Sequence, residues 1–254
     1  MSDPTTAAHS GQVVIVTGAG TGIGRAAALA FARAGAHVLG VGRRAEPLAA
    51  ITNEHPDIVV QSADIRDHGA AEQIVDAALE RWGRLDVLVN NAGVAAPMPL
   101  TDVTAERIGD LLATNVVAPS LLARAALAHL RATRGAIVNI SSTYGQRPAA
   151  GAAHYAATKA ALEQLTRSWA LELAPDGVRV NAVAPGPTES DALVATGLPQ
   201  TVIDQIKHDE TERIPLGRRG EPAEVAAWIL RLAAHDAAWL TGAVLNIDGG
   251  LALT

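Results

Sequence analysis

The sequence predicts an α/β fold: a single doubly wound domain with a seven-stranded parallel sheet flanked by helices. Three observations carry this. Short runs rich in Val, Ile and Leu alternate with longer stretches of helical period. The apolar runs are continuous rather than alternating with polar residues, so both sheet faces are covered. Hydrophobic residues fill 49% of 254 positions, enough for a large core and too many for a disordered chain.

Taken in order, residues 13–17 read as a buried strand and 22–34 as a helix closed by Gly35. Residues 37–41 form the second strand, with a helix over roughly 46–54 behind it, and 58–61 form the third. A helix over about 70–82 stops at Gly83, and 85–89 are the fourth strand. A long helical region follows over 104–131, bent near Pro119. Strand five is 136–140, and the helix 153–173 is stopped by Pro175 and Gly177. Strands six and seven are 178–184 and 243–247. Residues 186–219 break the alternation, being long, Pro-containing and mixed in charge; they read as an insertion over one sheet end. The expected organisation is a polar tail, 1–11, then one domain over 12–254 with a substrate lid at about 187–215.

Composition narrows the function. The absence of Cys excludes disulfides, thiolate metal sites and cysteine nucleophiles. Net charge is −6 and no run of Lys/Arg exceeds two, so nucleic acid and anionic membranes have no electrostatic footprint. Residues 1–12 are polar and do not resemble a signal peptide. No uninterrupted apolar run approaches the ~18–20 residues of a membrane span. A cytoplasmic protein acting on a small molecule is the expectation. The eight histidines show no metal-ligand spacing, so no metal is expected. Scarcity is the sharper feature: two tyrosines, Tyr144 and Tyr155, and two lysines, Lys159 and Lys207, against eighteen arginines.

Glycines crowd the turn between the first strand and first helix. Glycine permits positive φ and close backbone approach, and a helix N-terminus offers free N–H groups to phosphate. The spacing is neither GxGxxG nor a P-loop; it is TGxxxGxG at Thr17, Gly18, Gly22 and Gly24. Further motifs follow in order. Asp64 follows strand three, Asn90-Asn91-Ala92-Gly93 follows strand four, and Asn115 sits in the long helix. Ser142 ends strand five thirteen residues before Tyr155, and Tyr155-Ala-Ala-Thr-Lys159 reads YxxxK. Pro185-Gly186 follows strand six and Asp248-Gly-Gly250 lies near the end.

From residue 13 to residue 250 this pattern resembles the short-chain dehydrogenase/reductase family, in the branch of 3-oxoacyl carrier-protein reductases and small alcohol dehydrogenases. The resemblance implies a Rossmann-type fold and an enzyme interconverting a secondary alcohol and a ketone with a nicotinamide cofactor. It implies catalytic roles for Asn115, Ser142, Tyr155 and Lys159. For the cofactor it implies Gly18, Thr21, Gly22, Ile23, Gly24, Arg43, Asp64, Ile65, Asn91, Ala92, Gly93, Tyr155, Lys159, Pro185, Gly186 and Thr188. It places Lys159 on the nicotinamide ribose and a relay water beside Asn115. It further implies a homotetramer, or a homodimer, built on the long helices.

The residue chemistry agrees with these roles. Tyr155 and Lys159 stand at i and i+4 on one helix face, where an ammonium favours the phenolate. A phenol tuned towards working pH can exchange a proton with an alcohol or ketone. Ser142 can donate to the carbonyl oxygen as it gains charge, and strand alternation should turn Ser141 away from it. Tyr144 is either a pocket residue or an ordinary loop aromatic. At the end of strand two the chain reads Val41-Gly42-Arg43-Arg44, without the acidic residue that suits NAD ribose. Arg43 suits a 2′-phosphate, so NADP(H) is favoured over NAD(H).

On the substrate side, residues 185–190 read PGPTES where the family has PGxIxT, leaving open whether Thr188 or Ser190 meets the carboxamide. In the lid, Leu193, Val194, Leu198, Val202 and Ile206 are expected to roof the pocket, while Asp204, Lys207, Asp209 and Glu210 face water. Residues 94–98 add a small apolar wall, suiting a modest carbonyl or alcohol substrate. Alternatives are a 3-oxoacyl thioester reductase, a relative catalysing dehydration or epimerisation, and a catalytically silent dinucleotide-binding sensor.

Overall fold

The computed structural model describes residues 9–190 and 199–254. Seven parallel strands form one sheet in the order β3-β2-β1-β4-β5-β6-β7. They are β1 Val13–Thr17, β2 His37–Gly42, β3 Ile58–Ser62, β4 Val87–Asn90, β5 Ala136–Ile140, β6 Arg179–Pro185 and β7 Val244–Ile247. Every residue of β1, β4 and β5 is buried, as their mostly apolar sequences require, and the polar Thr17, Asn90 and Asn139 are hydrogen-bonded within the fold.

The helices are α1 Gly22–Arg33, α2 Ala45–Thr52, α3 Ala70–Trp82, α4 Ala105–Leu112, α5 Ala118–Thr133, α6 Ala153–Leu173, α7 Gln200–Arg213 and α8 Pro222–Ala233. They enclose two cores. On one face α1 and α8 pack Phe31, Ile229 and Leu232 against Val14 and Val16. On the other, α3 and α5 pack Ile74, Leu122 and Leu130 against Ile15, Leu88 and Ile137. Strand periodicity of two sends neighbouring β1 residues into opposite cores.

Three features differ from the sequence expectation. The long helix is interrupted by a π-helical turn, Ala113–Val117, ahead of Pro119 rather than bent at it. Pro119 has no N–H to donate to the carbonyl of Asn115, which favours the wider i→i+5 pattern there. Helix α7 occupies part of the expected insertion, and α8 lies in a stretch to which the sequence reading gave no element. The stretch Ala105–Thr133 is long and apolar enough to cross a bilayer. In the fold its buried face, including Leu122, Ala126 and Leu130, covers the sheet. The tail residues 1–8, and Leu193, Val194 and Leu198 of the expected lid roof, lie outside the described residues.

Candidate active site

The chain leaves β1 for β2 on one side and returns to β4 on the other. At this reversal a cleft opens beyond the carboxyl ends of the strands, the position that doubly wound sheets use for ligands. The cleft encloses about 430 Å³. Gly18, Thr21, Gly22, Ile23, Gly24, Arg43, Asp64, Ile65, Asn91, Ala92, Gly93, Ser142, Tyr155, Lys159, Pro185, Gly186 and Thr188 all line it.

The glycine turn is closely packed. Gly18 has φ +69°, and a Cβ there would lie 2.7 Å from Asn91 Nδ2. A Cβ on Gly24 would lie 2.2 Å from the Gly18 carbonyl oxygen, so helix and turn could not approach. Thr17 Oγ1 accepts from the N–H groups of Asn91 and Ala92, both at 3.0 Å, tying this turn to the β4 loop. The first turn of α1 has neither a side-chain cap nor an acidic residue. Its N–H groups and positive dipole end therefore suit a pyrophosphate, and the glycine cradle gives the backbone close access. The site fits a dinucleotide.

At the far end of the cleft, Arg66 grips Asp64 with Nε (3.0 and 3.1 Å) and Nη2 (2.7 Å). Hydrogen bonding from Arg66 is the main reason the Asp64 carboxyl titrates below its ordinary range. Arg43 Nη1 makes a long ion pair with Asp64 at 4.0 Å, with its side chain 61% exposed. Arg66 and Arg44 also line this end, and the sequence reading assigned neither. Arg66 lies two residues past Asp64, a spacing that a search for acidic partners could have noticed.

Ser142 follows β5, and Tyr155 and Lys159 lie one turn apart on α6. Burial pushes the Tyr155 phenol above its ordinary value; a hydrogen bond with Ser142 opposes this and Tyr144 adds to it. Burial draws the Lys159 ammonium down to about 8. Its Nζ donates to the Ile140 carbonyl at 2.8 Å and lies 5.9 Å from the Tyr155 ring centre. A Cβ on Gly93 would sit 3.2 Å from Nζ, so glycine there leaves room for the ammonium.

Asn115 is buried behind the cleft wall. Its Oδ1 accepts from Val94 N at 3.0 Å, and its Nδ2 donates to Val94 O at 2.9 Å and to Thr158 Oγ1 at 3.0 Å. Its side chain thus braces the loop after β4 against α6. Ser141 points the other way from Ser142, donating to Glu163 Oε1 at 2.9 Å. Thr188 and Ser190 both line the cleft, the former donating to Gly186 O at 2.9 Å.

Val94 and Ala95 form the expected apolar wall, with Met98 buried beneath it. Tyr144 is half-buried beside Tyr155 and its N–H donates to Ser142 Oγ at 3.2 Å. Within α7 the lid expectation needs correction. Val202 is 41% exposed and Ile203 is the buried residue, and neither Val202 nor Ile206 is among the described residues lining the cleft. Lys207 and Glu210 are partly buried in ion pairs rather than facing water, because Glu189 and Arg219 lie against this helix. Asp248, far off in sequence, accepts from Thr143 Oγ1 at 3.0 Å and holds the C-terminal turn beside the Ser142 loop.

Comparison with known proteins identifies the fold's family. A family profile described as enoyl-(acyl carrier protein) reductase matches residues 18–252. Meso-2,3-butanediol dehydrogenase from Serratia marcescens is 36% identical over 241 residues, covering 94% of each chain. A 3-oxoacyl-(acyl-carrier-protein) reductase from Thermotoga maritima is 34% identical over 256 residues, covering 96% of this chain and 98% of its own. The crystal structure of a Caenorhabditis elegans short-chain dehydrogenase/reductase of unknown function with cofactor superposes with a TM-score of 0.91, at 34% identity and 97% coverage of both chains. The chain therefore belongs to the short-chain dehydrogenase/reductase family, whose NAD(P)-dependent oxidoreduction of carbonyl and alcohol groups is its activity at family level.

Proposed function

We propose that the protein interconverts a small secondary alcohol and its ketone, with Tyr155 as general acid and base. The convergence of Ser142, Tyr155 and Lys159 at one end of a cleft whose other parts suit a dinucleotide carries this reading. A bound nicotinamide cofactor would supply or accept the hydride. For reduction, the Tyr155 hydroxyl donates its proton to the carbonyl oxygen while Ser142 Oγ hydrogen-bonds the same atom. For oxidation, the phenolate takes the alcohol proton. The Lys159 ammonium favours that phenolate, offsetting the upward push of burial. Asn115 acts through position: its amide fixes Val94 and Thr158, and the expected relay water would be held beside it.

We favour NADP(H), because Arg43 is exposed at the ribose end while Asp64 is engaged by Arg66, and Gly42 offers no carboxylate. The butanediol-acting relative and the apolar Val94–Ala95 wall support a small substrate. The exposed Leu112, Val117 and Leu121 along the long helix fit pairing of copies into a homodimer or homotetramer. The test is a carbonyl and alcohol panel assayed with both cofactors, alongside Tyr155→Phe. That variant should lose at least about a thousandfold in kcat, consistent with removal of the proton donor, while binding cofactor nearly as before. Appreciable residual turnover by Tyr155→Phe would defeat the assignment. A product formed without net change in nicotinamide absorbance would favour the dehydration or epimerisation alternative.

A further inference from the structure

The loop leaving β6 crosses the cleft. Gly186, Thr188 and Ser190 face it, and a Cβ on Gly22 would come 3.4 Å from that of Ser190. Gly186 N donates to Ile247 O of β7 at 3.0 Å; past Gly186, residues 219 and 220 hold the loop. Gly220 N donates to Pro187 O at 3.0 Å and Glu189 N to Gly220 O at 2.8 Å. Arg219 Nη2 donates to Thr188 O at 2.8 Å. Glu189, between the two cleft-facing residues, turns its carboxylate the opposite way, as extended chain requires. There it accepts from Arg219 Nε at 2.8 Å and from Lys207 Nζ, on α7, at 2.6 Å. Arg219 Nη1 also pairs with Glu210 of α7.

Two acids and two bases thus join the cleft loop, α7 and the approach to α8, with the Arg219 side chain only 7% exposed. Enclosing such charges costs desolvation, and apolar packing would hold a fold as well. A guanidinium fork that binds a carboxylate and a carbonyl together does what apolar packing cannot: it fixes the direction of one peptide unit. Burial raises the Glu189 carboxyl, but Lys207 and Arg219 together bring it below its ordinary value, so it stays ionised.

We propose that Arg219 and Glu189 are positioning residues for the dinucleotide: with Lys207 and Glu210 they set the backbone of residues 186–190 against the cleft. The proposal rests on the dinucleotide reading above. It assigns Lys207, the second of the two lysines, to cofactor affinity rather than to proton transfer.

The experiment is fluorescence titration of NADPH and NADH into the full chain and its variants, with steady-state kinetics in parallel. Glu189→Gln and Lys207→Met alter side chains that are each 35% exposed, so both should fold. Glu189→Gln should raise Kd about tenfold and Lys207→Met about threefold, as expected for loss of charge-assisted bonds. The double variant should fall short of the product, since both remove one contact. Nucleotide KM should rise with Kd, while kcat changes less than about twofold. Arg219→Lys should weaken binding despite keeping its charge, because an ammonium lacks the fork. If Glu189→Gln lowers Tm but binds nucleotide as the unaltered protein does, the cluster is only structural and the proposal is overturned. If kcat falls as far as Kd rises, the cluster acts on chemistry and the proposal also fails. If the unaltered protein binds neither nucleotide, the dinucleotide reading falls first and the proposal with it.

Discussion

Lys159 shows how a single buried charge at the proposed site costs stability. Its side chain is buried, and the folded chain holds its proton less tightly than an unfolded one, at about 8 against 10.5. The cost is fully present below about 8 and is relieved as pH rises towards 10.5. At neutral pH that difference corresponds to about 3 kcal/mol, less the hydrogen bond to Ile140. Lys159→Met should therefore unfold at a higher temperature at pH 7 in the absence of cofactor, yet lose turnover. The gap in Tm should narrow by pH 10; a variant less stable than the parent at pH 7 would refute this account. Arg43 makes the second prediction at this scale. Arg43→Ala should raise Kd for NADPH by about tenfold or more, as for a lost charge-assisted bond, and leave NADH nearly unchanged. Equal losses for both nucleotides would remove the 2′-phosphate role. YxxxK and the glycines were legible as spacing, as was the i, i+2 placement of Asp64 and Arg66, whereas the bidentate geometry of their contact depends on how the loop after β3 turns.

Among the elements, the strands and α3 could be read closely because their burial is written in continuous or periodic apolar residues. Helix α7 could not. It is polar along most of its length and buries Ile203 alone, so no apolar stripe announces it. Helix α8 carried a readable start, with Pro222 in the first turn and a capping box between Glu221 and Glu224. Its other end depends on Arg179 of β6. Nη1 donates to Leu232 O at 2.6 Å, and Nη2 to Ala233 O at 3.1 Å and Ala234 O at 3.0 Å. These are the carbonyls that a helix C-terminus leaves without partners. Arg179→Leu should destabilise the protein by roughly 2–4 kcal/mol, as for buried acceptors left unmet, measured by urea unfolding. A loss below about 0.5 kcal/mol, the range of an ordinary surface change, would mean that water replaces the guanidinium.

At the scale of the whole molecule, His9 joins the start of the described chain to elements from its far end. The ring is 2% exposed, packs edge-on to Phe31 of α1 at 4.9 Å, and shares a 2.5 Å hydrogen bond with Gln12. Gln12 in turn meets His235, beyond α8, at 3.1 Å, with Asp236 nearby. Burial is the main reason that His9 titrates below its ordinary 6.5. The unfolded chain therefore takes up this proton first as pH falls, and the stability held above 6.5 is lost progressively below it. Thermal unfolding from pH 7 to pH 5 should show a smaller drop in Tm for His9→Gln than for the parent. Equal drops would show that His9 is not held neutral.

The sequence by itself determined the doubly wound class, the glycine cradle, and the pairing of Tyr155 with Lys159. Each of these is local: apolar continuity, a positive φ, or a spacing of four on one helix. Tertiary structure alone decided what meets across distance. It set Asp248 beside the Ser142 loop, and Arg219 and Lys207 on Glu189 behind the cleft loop. Charged side chains carry no period, and their partners are fixed only when the sheet order brings separate loops to one end. The scarce lysines show both sides of this. Lys159 was readable from Tyr155, whereas Lys207 acquired a partner only once α7 had folded against the loop after β6.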